Sequence, residues 1–194
     1  RLFWTIHSTH HAPQSMSMAV GFEHNFVEAF LYFPFFFGFV TALCGVNPVF
    51  IIIINIIDAT YGNLLHISDG VMKNGRYGII GKFMQTPSLH RVHHATNVKY
   101  MDMNYNSITQ LWDRIMGTLQ PLDDQEPVRY GITRDVDTGS FFDMQFGDIR
   151  LLAMDVWKAP GLKNKLGYIF KPPGWSHDGN HVGLVSELKK AAKL

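Results

Sequence analysis

A single cysteine, Cys44, stands among the 194 residues. It excludes an internal disulfide and a Cys-rich zinc site, and it reads as a small apolar residue facing a membrane. Positive charge is absent over a longer stretch: after Arg1 the next lysine or arginine is Lys73, so Leu2 to Met72 holds neither. The formal net charge is only +1, and no basic patch is interleaved with aromatics, so nothing points to nucleic acid as a partner. No Gly-rich fingerprint follows a strand pattern, which argues against direct binding of a dinucleotide. Charged residues are also few, 17% against 46% hydrophobic, an apolar balance for one water-soluble domain.

The stretch without cations contains the most apolar sequence. "FVEAFLYFPFFFGFVTAL" (Phe26 to Leu43) is followed by "CGVNP" and then "VFIIIINIIDATYGNLLH" (Val49 to His66). The first segment approaches the roughly 20 residues that cross a bilayer as a helix, and Gly45, Asn47 and Pro48 are turn formers. This predicts a helical hairpin that enters the membrane and returns. The competing reading is a buried core helix followed by a buried strand, because "VFIIIINII" is rich in β-branched residues. In a hairpin both ends emerge on one side. Lys73, Arg76, Lys82, Arg91 and Lys99 resume there, and a positive excess marks the cytoplasmic face.

Histidine is present in a pattern. "HSTHH" (His7 to His11) and "HRVHH" (His90 to His94) repeat one spacing on either side of the apolar segments. On a helix, positions i, i+3 and i+4 share a face, so each copy aims three imidazoles together. Three adjacent polar rings are a costly way to fill a core, and a metal is the natural occupant. A zinc-dependent membrane hydrolase is one reading, since three His plus water is a catalytic zinc arrangement. Neither box contains a Glu to act as its base. A membrane protein that only stores or carries metal is another. Metal at the cytosolic membrane face, between apolar segments, points to a lipid substrate.

The segment "TPSLHRVHHATNVKYMDMNYNSITQLWDRIMGTLQP" resembles the third histidine box of the fatty acid hydroxylase and sterol desaturase superfamily, membrane enzymes with a histidine-bound di-iron centre. "LFWTIHSTHHAP" resembles its second box, and "LLHIS" the segment that supplies a further histidine. "PVRYGITRD" and "WKAPGLKNKLGYIFKPPGW" look most like the alkylglycerol monooxygenase branch. The resemblance implies an all-α integral-membrane bundle, with a transmembrane helical hairpin and a cytosolic histidine-rich cap. It also implies a catalytic domain over residues 1–175 and a polar tail over 176–194. Because the family carries a first histidine box upstream that is not found here, the sequence is expected to be an N-terminally truncated fragment. Glu23 stands where relatives usually have an Arg.

By the same resemblance His7, His10, His11, His66, His90, His93 and His94 would bind two iron ions, imidazole being a suitable ligand for both iron oxidation states. Asn97, Asp102 and Asn104 would hold the far nitrogens of these rings, or else serve in turns and caps. The implied activity is O2-dependent hydroxylation, desaturation or monooxygenation of a long-chain lipid: a sterol, fatty acid or ether lipid. Electrons would come from outside the chain, from a reduced pterin or a cytochrome or ferredoxin chain. The membrane would be the endoplasmic reticulum in a eukaryote and the inner membrane in a bacterium.

Other residues receive blander assignments. Trp112, Asp113 and Arg114 match the family signature but read as a helix anchor held by an ion pair. His24 is either a ligand or a neighbour of the site. His177 and His181 fall in a Gly-containing segment that reads as mobile surface, and "LVSELKKAAKL" as a solvated terminal helix with Leu184, Leu188 and Ala191 on one face. Replacing His93 or His94 with Ala is expected to lower bound iron and abolish turnover while leaving membrane insertion unchanged, as metal analysis beside a protease-protection assay would report.

Overall fold

The computed structural model describes residues 1–31 and 38–179. The middle of the first apolar arm, His181 and the terminal "LVSELKKAAKL" therefore lie outside the described residues. Within them the chain is helical, with two isolated bridges, Met84 to Thr109 and Ala95 to Tyr130, and no strand. In chain order come α1 (Leu2–His11), a 3₁₀ turn (Val20–Phe22), α2 (Phe26–Phe30), α3 (Thr41–Leu43) and α4 (Pro48–Leu65). A second 3₁₀ turn (Ile80–Lys82) precedes α5 (Pro87–His93), α6 (Leu111–Met116), α7 (Phe141–Lys158) and α8 (Gly161–Phe170).

The β-branched run "VFIIIINII" lies inside α4, so the strand reading is overturned. Its start is written locally: Gly45 adopts φ 77°, the Asn47 side chain accepts from the Val49 amide, and Pro48 occupies the first turn. Polar side chains on this helix satisfy themselves on its own backbone, Asn55 donating to Ile51 O at 2.8 Å and Thr60 to Ile56 O at 2.7 Å. A core helix buries its apolar residues. Only 6% of the apolar window of α4 is buried, and Ile52, Ile56 and Ile57 are about as exposed as surface residues.

Polar packing joins α1 to α7. Ser8 donates to Asp148 at 2.8 Å and Thr9 to Met144 O at 2.8 Å, while fully buried Asn25 caps α2 and donates to Gln145 O. Among the described residues two small apolar clusters form, Val92 with Ala95 and Tyr100, and Leu152 with Ala159 and Tyr168. Trp175 packs on the second, and His177 is hydrogen-bonded to Tyr168 at 3.0 Å. His177 is thus at the surface, as its reading from the sequence has it, and its ring is tied to Tyr168.

Helix α5 begins at a Thr86 cap followed by Pro87, and most of its residues are buried. Arg91, counted above among the cations of the cytoplasmic side, is 1% exposed. Its guanidinium donates to Ile67 O at 3.0 Å, Met72 O at 2.7 Å and Lys73 O at 3.1 Å, fastening the loop after α4 to the helix that carries His90 and His93. A hydrogen bond from a charged donor contributes about 1.5–3 kcal/mol. Arg91→Met is therefore expected to destabilise the detergent-solubilised protein by on the order of 3 kcal/mol and to open residues 67–73 to proteolysis. Arg129→Met, at an exposed position, serves as the neutral control.

Candidate metal centre

The seven histidines predicted as ligands converge in two groups. His10, His66, His90 and His94 form one, and His7, His11 and His93 the other, with the ring nitrogens of each group within 4.8 Å of one another. The groups touch: the rings of His11 and His94 stack at 4.2 Å and those of His7 and His10 lie 5.2 Å apart. Three helices bring them together. Helical spacing places His7, His10 and His11 on α1 and His90, His93 and His94 on and just beyond α5, while His66 caps the end of α4.

Hydrogen bonds to backbone carbonyls fix which nitrogen three of the rings present. The Nδ1 of His10 donates to Glu23 O at 3.2 Å, that of His66 to Gly62 O at 2.7 Å, and that of His93 to Met103 O at 3.3 Å. A carbonyl can only accept, so these Nδ1 atoms carry the protons and each Nε2 keeps a bare lone pair. Burial, reinforced by neighbouring imidazoles, pushes His10, His11, His90 and His94 well below the ordinary histidine range, and pushes His66 and His93 down to about 4. The rings are therefore neutral near pH 7.

The consequence is electrostatic. His10 Nε2 and His66 Nε2 face each other at 3.1 Å with no proton available to either. His90 Nε2 lies 2.9 Å from His66 Nε2 and 3.1 Å from His94 Nε2. Facing lone pairs repel, whereas two nitrogens bound at right angles to one ion at about 2.1 Å lie about 3 Å apart. His11 Nε2 is buried without a hydrogen-bond partner. The donor set and its spacing fit a cation in each group.

One carboxylate organises the edge of the site and was missed in the sequence. Glu28 on α2 accepts from His7 Nδ1 at 2.7 Å and from His24 Nδ1 at 3.1 Å. Its two carboxylate oxygens are thus divided between two imidazoles, one on α1 and one beside α2. The available signal was its isolation: Glu28 is the only acidic residue between Glu23 and Asp58, and a lone charge in an apolar segment is expensive. His24 donates its other nitrogen to Gly21 O at 3.2 Å, and the bond to Glu28 pulls its pKa up. With both nitrogens occupied it falls outside both groups and stacks on His10 at 4.6 Å. Gly21 lets the 3₁₀ turn at Val20–Phe22 approach the end of α4, because a Cβ there would collide with Asn63 and lie 3.2 Å from His66 Nδ1.

Asn97, Asp102 and Asn104 are placed differently from their reading as holders of ring nitrogens. Asn97 bonds Glu126, Pro127 O and the Arg129 amide. Asn104 bonds Leu89 O and the backbone of Gln120, and Asp102 bonds Tyr105. The contact to histidine comes from the backbone between the last two: Asp102 and Asn104 adopt φ 60° and 54°, and Met103 O receives His93. Asp113 is buried and accepts from the Tyr105 and Asn106 amides and the Thr118 hydroxyl, so it anchors this loop directly rather than through an ion pair with Arg114.

The family model for fatty acid hydroxylases matches residues 1–118. Alkylglycerol monooxygenase of Xenopus tropicalis is 33% identical over 190 residues, covering 96% of this chain and 40% of that protein. The human protein of that name is 29% identical and that of Danio rerio 28%, with the same coverage. The chain thus spans 40% of the length of these curated relatives. No solved structure matches it.

Groups that hold the far nitrogen of a ligating histidine typically change metal affinity about 10–100-fold when removed. Glu28→Gln keeps the size of the side chain and one acceptor oxygen but loses the charge shared by His7 and His24. Metal affinity is expected to fall by about tenfold or more, measured by competition with a chelator of known affinity. Unchanged affinity would show that Glu28 does not orient His7.

Proposed function

The chain belongs to the fatty acid hydroxylase family, and from that premise we propose that it carries the metal centre of a membrane-bound, O2-dependent lipid oxidase. The observation that supports this reading most directly is the convergence of seven histidines in two adjoining groups, with the bare Nε2 lone pairs of His10 and His66 facing each other. His10, His66, His90 and His94 hold one iron, and His7, His11 and His93 hold the other. Bound iron would supply activation of O2 for attack on an unactivated C–H bond.

The rest falls to the chain's own residues. Glu28 and the carbonyls of Glu23, Gly62 and Met103 hold the Nδ1 atoms, which aims each Nε2 inward. Burial keeps the rings neutral, the form that ligates. Electrons arrive from an external donor, a reduced pterin or a cytochrome or ferredoxin chain. The relatives' name points to an alkylglycerol, an ether-linked lipid, as the substrate class. The zinc hydrolase reading is weaker, because neither group contains a carboxylate and Glu28 is committed to His7 and His24.

In this reading α4 and the apolar segment over residues 26–43 form the two arms of the membrane hairpin. The poor burial of α4 and its self-satisfied polar side chains support it. Lys73, Arg76, Lys82 and Lys99 support a histidine end on the cytosolic face, of the endoplasmic reticulum or a bacterial inner membrane. Residues 1–175 act as one catalytic unit and 176–194 as its tail.

The test is single-turnover chemistry with the full-length protein. After anaerobic reduction, admission of O2 in the presence of ether lipids, sterols and fatty acids is expected to yield an oxygenated or desaturated lipid, detected by mass spectrometry with labelled O2. His94→Ala should abolish the product. If no lipid gains oxygen or a double bond with any donor, the oxidase reading fails.

A further inference from the structure

Outside the histidine groups, two short segments are bolted into one platform. The Gln110 side chain donates to Gly81 O and to Met84 O at 2.7 Å, the Gln110 amide donates to Phe83 O at 2.8 Å, and Arg114 donates to Lys82 O at 2.8 Å. These bonds join the turn at Ile80–Lys82 to α6 and direct their polar groups inward. Outward they leave Ile79, Ile80, Phe83, Trp112, Ile115 and Met116, each between 59% and 74% exposed. A surface in water rarely gathers so many large apolar side chains.

We propose that this platform lies in the headgroup–acyl boundary of the bilayer that α4 enters, seated on an anionic leaflet. The proposal rests on the membrane reading of α4. Continuity with that helix supports it: Tyr61, near the histidine end of α4, donates to Gln85 O, and the Gln85 amide donates to Ile108 O at 2.8 Å. The platform therefore hangs from the end of the apolar helix, where a spanning helix leaves the hydrocarbon. Charge is complementary. The exposed charged residues of the two segments are Lys82 and Arg114, Asp113 being turned inward onto backbone amides, and no acidic residue occurs from Gly70 to Met101. Cations beside a membrane are drawn to anionic lipid, and Trp112 is the residue type that collects at this depth.

The same bonds tie the platform to the metal centre. Asp113, on α6, holds the Tyr105 and Asn106 amides just beyond Met103, whose carbonyl receives His93. Seating α6 at the lipid boundary thus holds the His93 loop beside the layer from which a lipid would enter.

The test uses the full-length protein with Cys44→Ser, reconstituted in phosphatidylcholine vesicles containing a minority of phosphatidylglycerol. Nitroxides are placed one at a time through Met116→Cys, Ile53→Cys and Gln125→Cys, with iron content confirming that each variant is folded. The Met116 probe is expected to be relaxed by O2 but not by a water-soluble nickel reagent, at a depth of roughly 5–10 Å. Ile53 should report the acyl core and Gln125 water, and Lys82→Glu should make the Met116 probe shallower. A Met116 probe as open to nickel as Gln125 overturns the platform while leaving the span intact. Shielding from both reagents means that protein covers the surface, and overturns it as well. A depth unchanged by Lys82→Glu overturns the anionic leaflet, and an Ile53 probe open to nickel overturns the membrane reading beneath the proposal.

Discussion

Bare imidazole lone pairs, buried and turned toward one another, are the interaction on which the rest of this structure depends. His10 and His66 each give their only proton to a backbone carbonyl, which leaves two Nε2 atoms 3.1 Å apart without a bridge. That arrangement is unfavourable in an apolar interior unless a cation lies between the rings. Burial compounds the constraint, because desolvation holds these rings neutral and so prevents them from protonating to relieve it.

The scaffold is organised to impose this cost. Among the described residues, buried polar side chains outnumber buried apolar ones, the reverse of an ordinary soluble core. Arg91 ties the loop that follows His66 to α5, Glu28 joins α2 to His7 and His24, and Asn25 with Ser8 and Thr9 joins α1 to α7. Large apolar residues sit mostly outside, on α4 and on the platform of α6. The protein is thus polar where it holds the site and apolar where it meets its surroundings, the distribution a membrane enzyme requires.

Much of the site was legible in the sequence because its key spacing is local. Two copies of His-x-x-His-His on helices must present three rings on one face, and the chain does so on α1 and α5. What was not legible depends on distance or backbone. Glu28 lies 21 residues from His7, and nothing in either segment announces their meeting. Arg91 counted among the cytoplasmic-side cations because its charge was visible, while its burial was not. Asn97 and Asn104 have the right chemistry to hold a ring nitrogen, yet they bond backbone instead, and the acceptor for His93 is the Met103 carbonyl, presented by left-handed residues on both sides. The strand alternative for "VFIIIINII" failed because a residue's β preference describes its fit to a pleated, half-buried surface, and α4 has no such surface around it.

The central claim is that the seven histidines hold two irons. Metal analysis together with iron K-edge X-ray absorption on full-length protein produced under iron-replete conditions tests it most directly. The account predicts two irons per chain, each in a nitrogen-rich shell with the outer-shell scattering of imidazole, both diminished when His66 is replaced by Ala because the groups share a wall of stacked rings. A single tightly bound zinc, or iron whose spectrum lacks imidazole scattering, would contradict it.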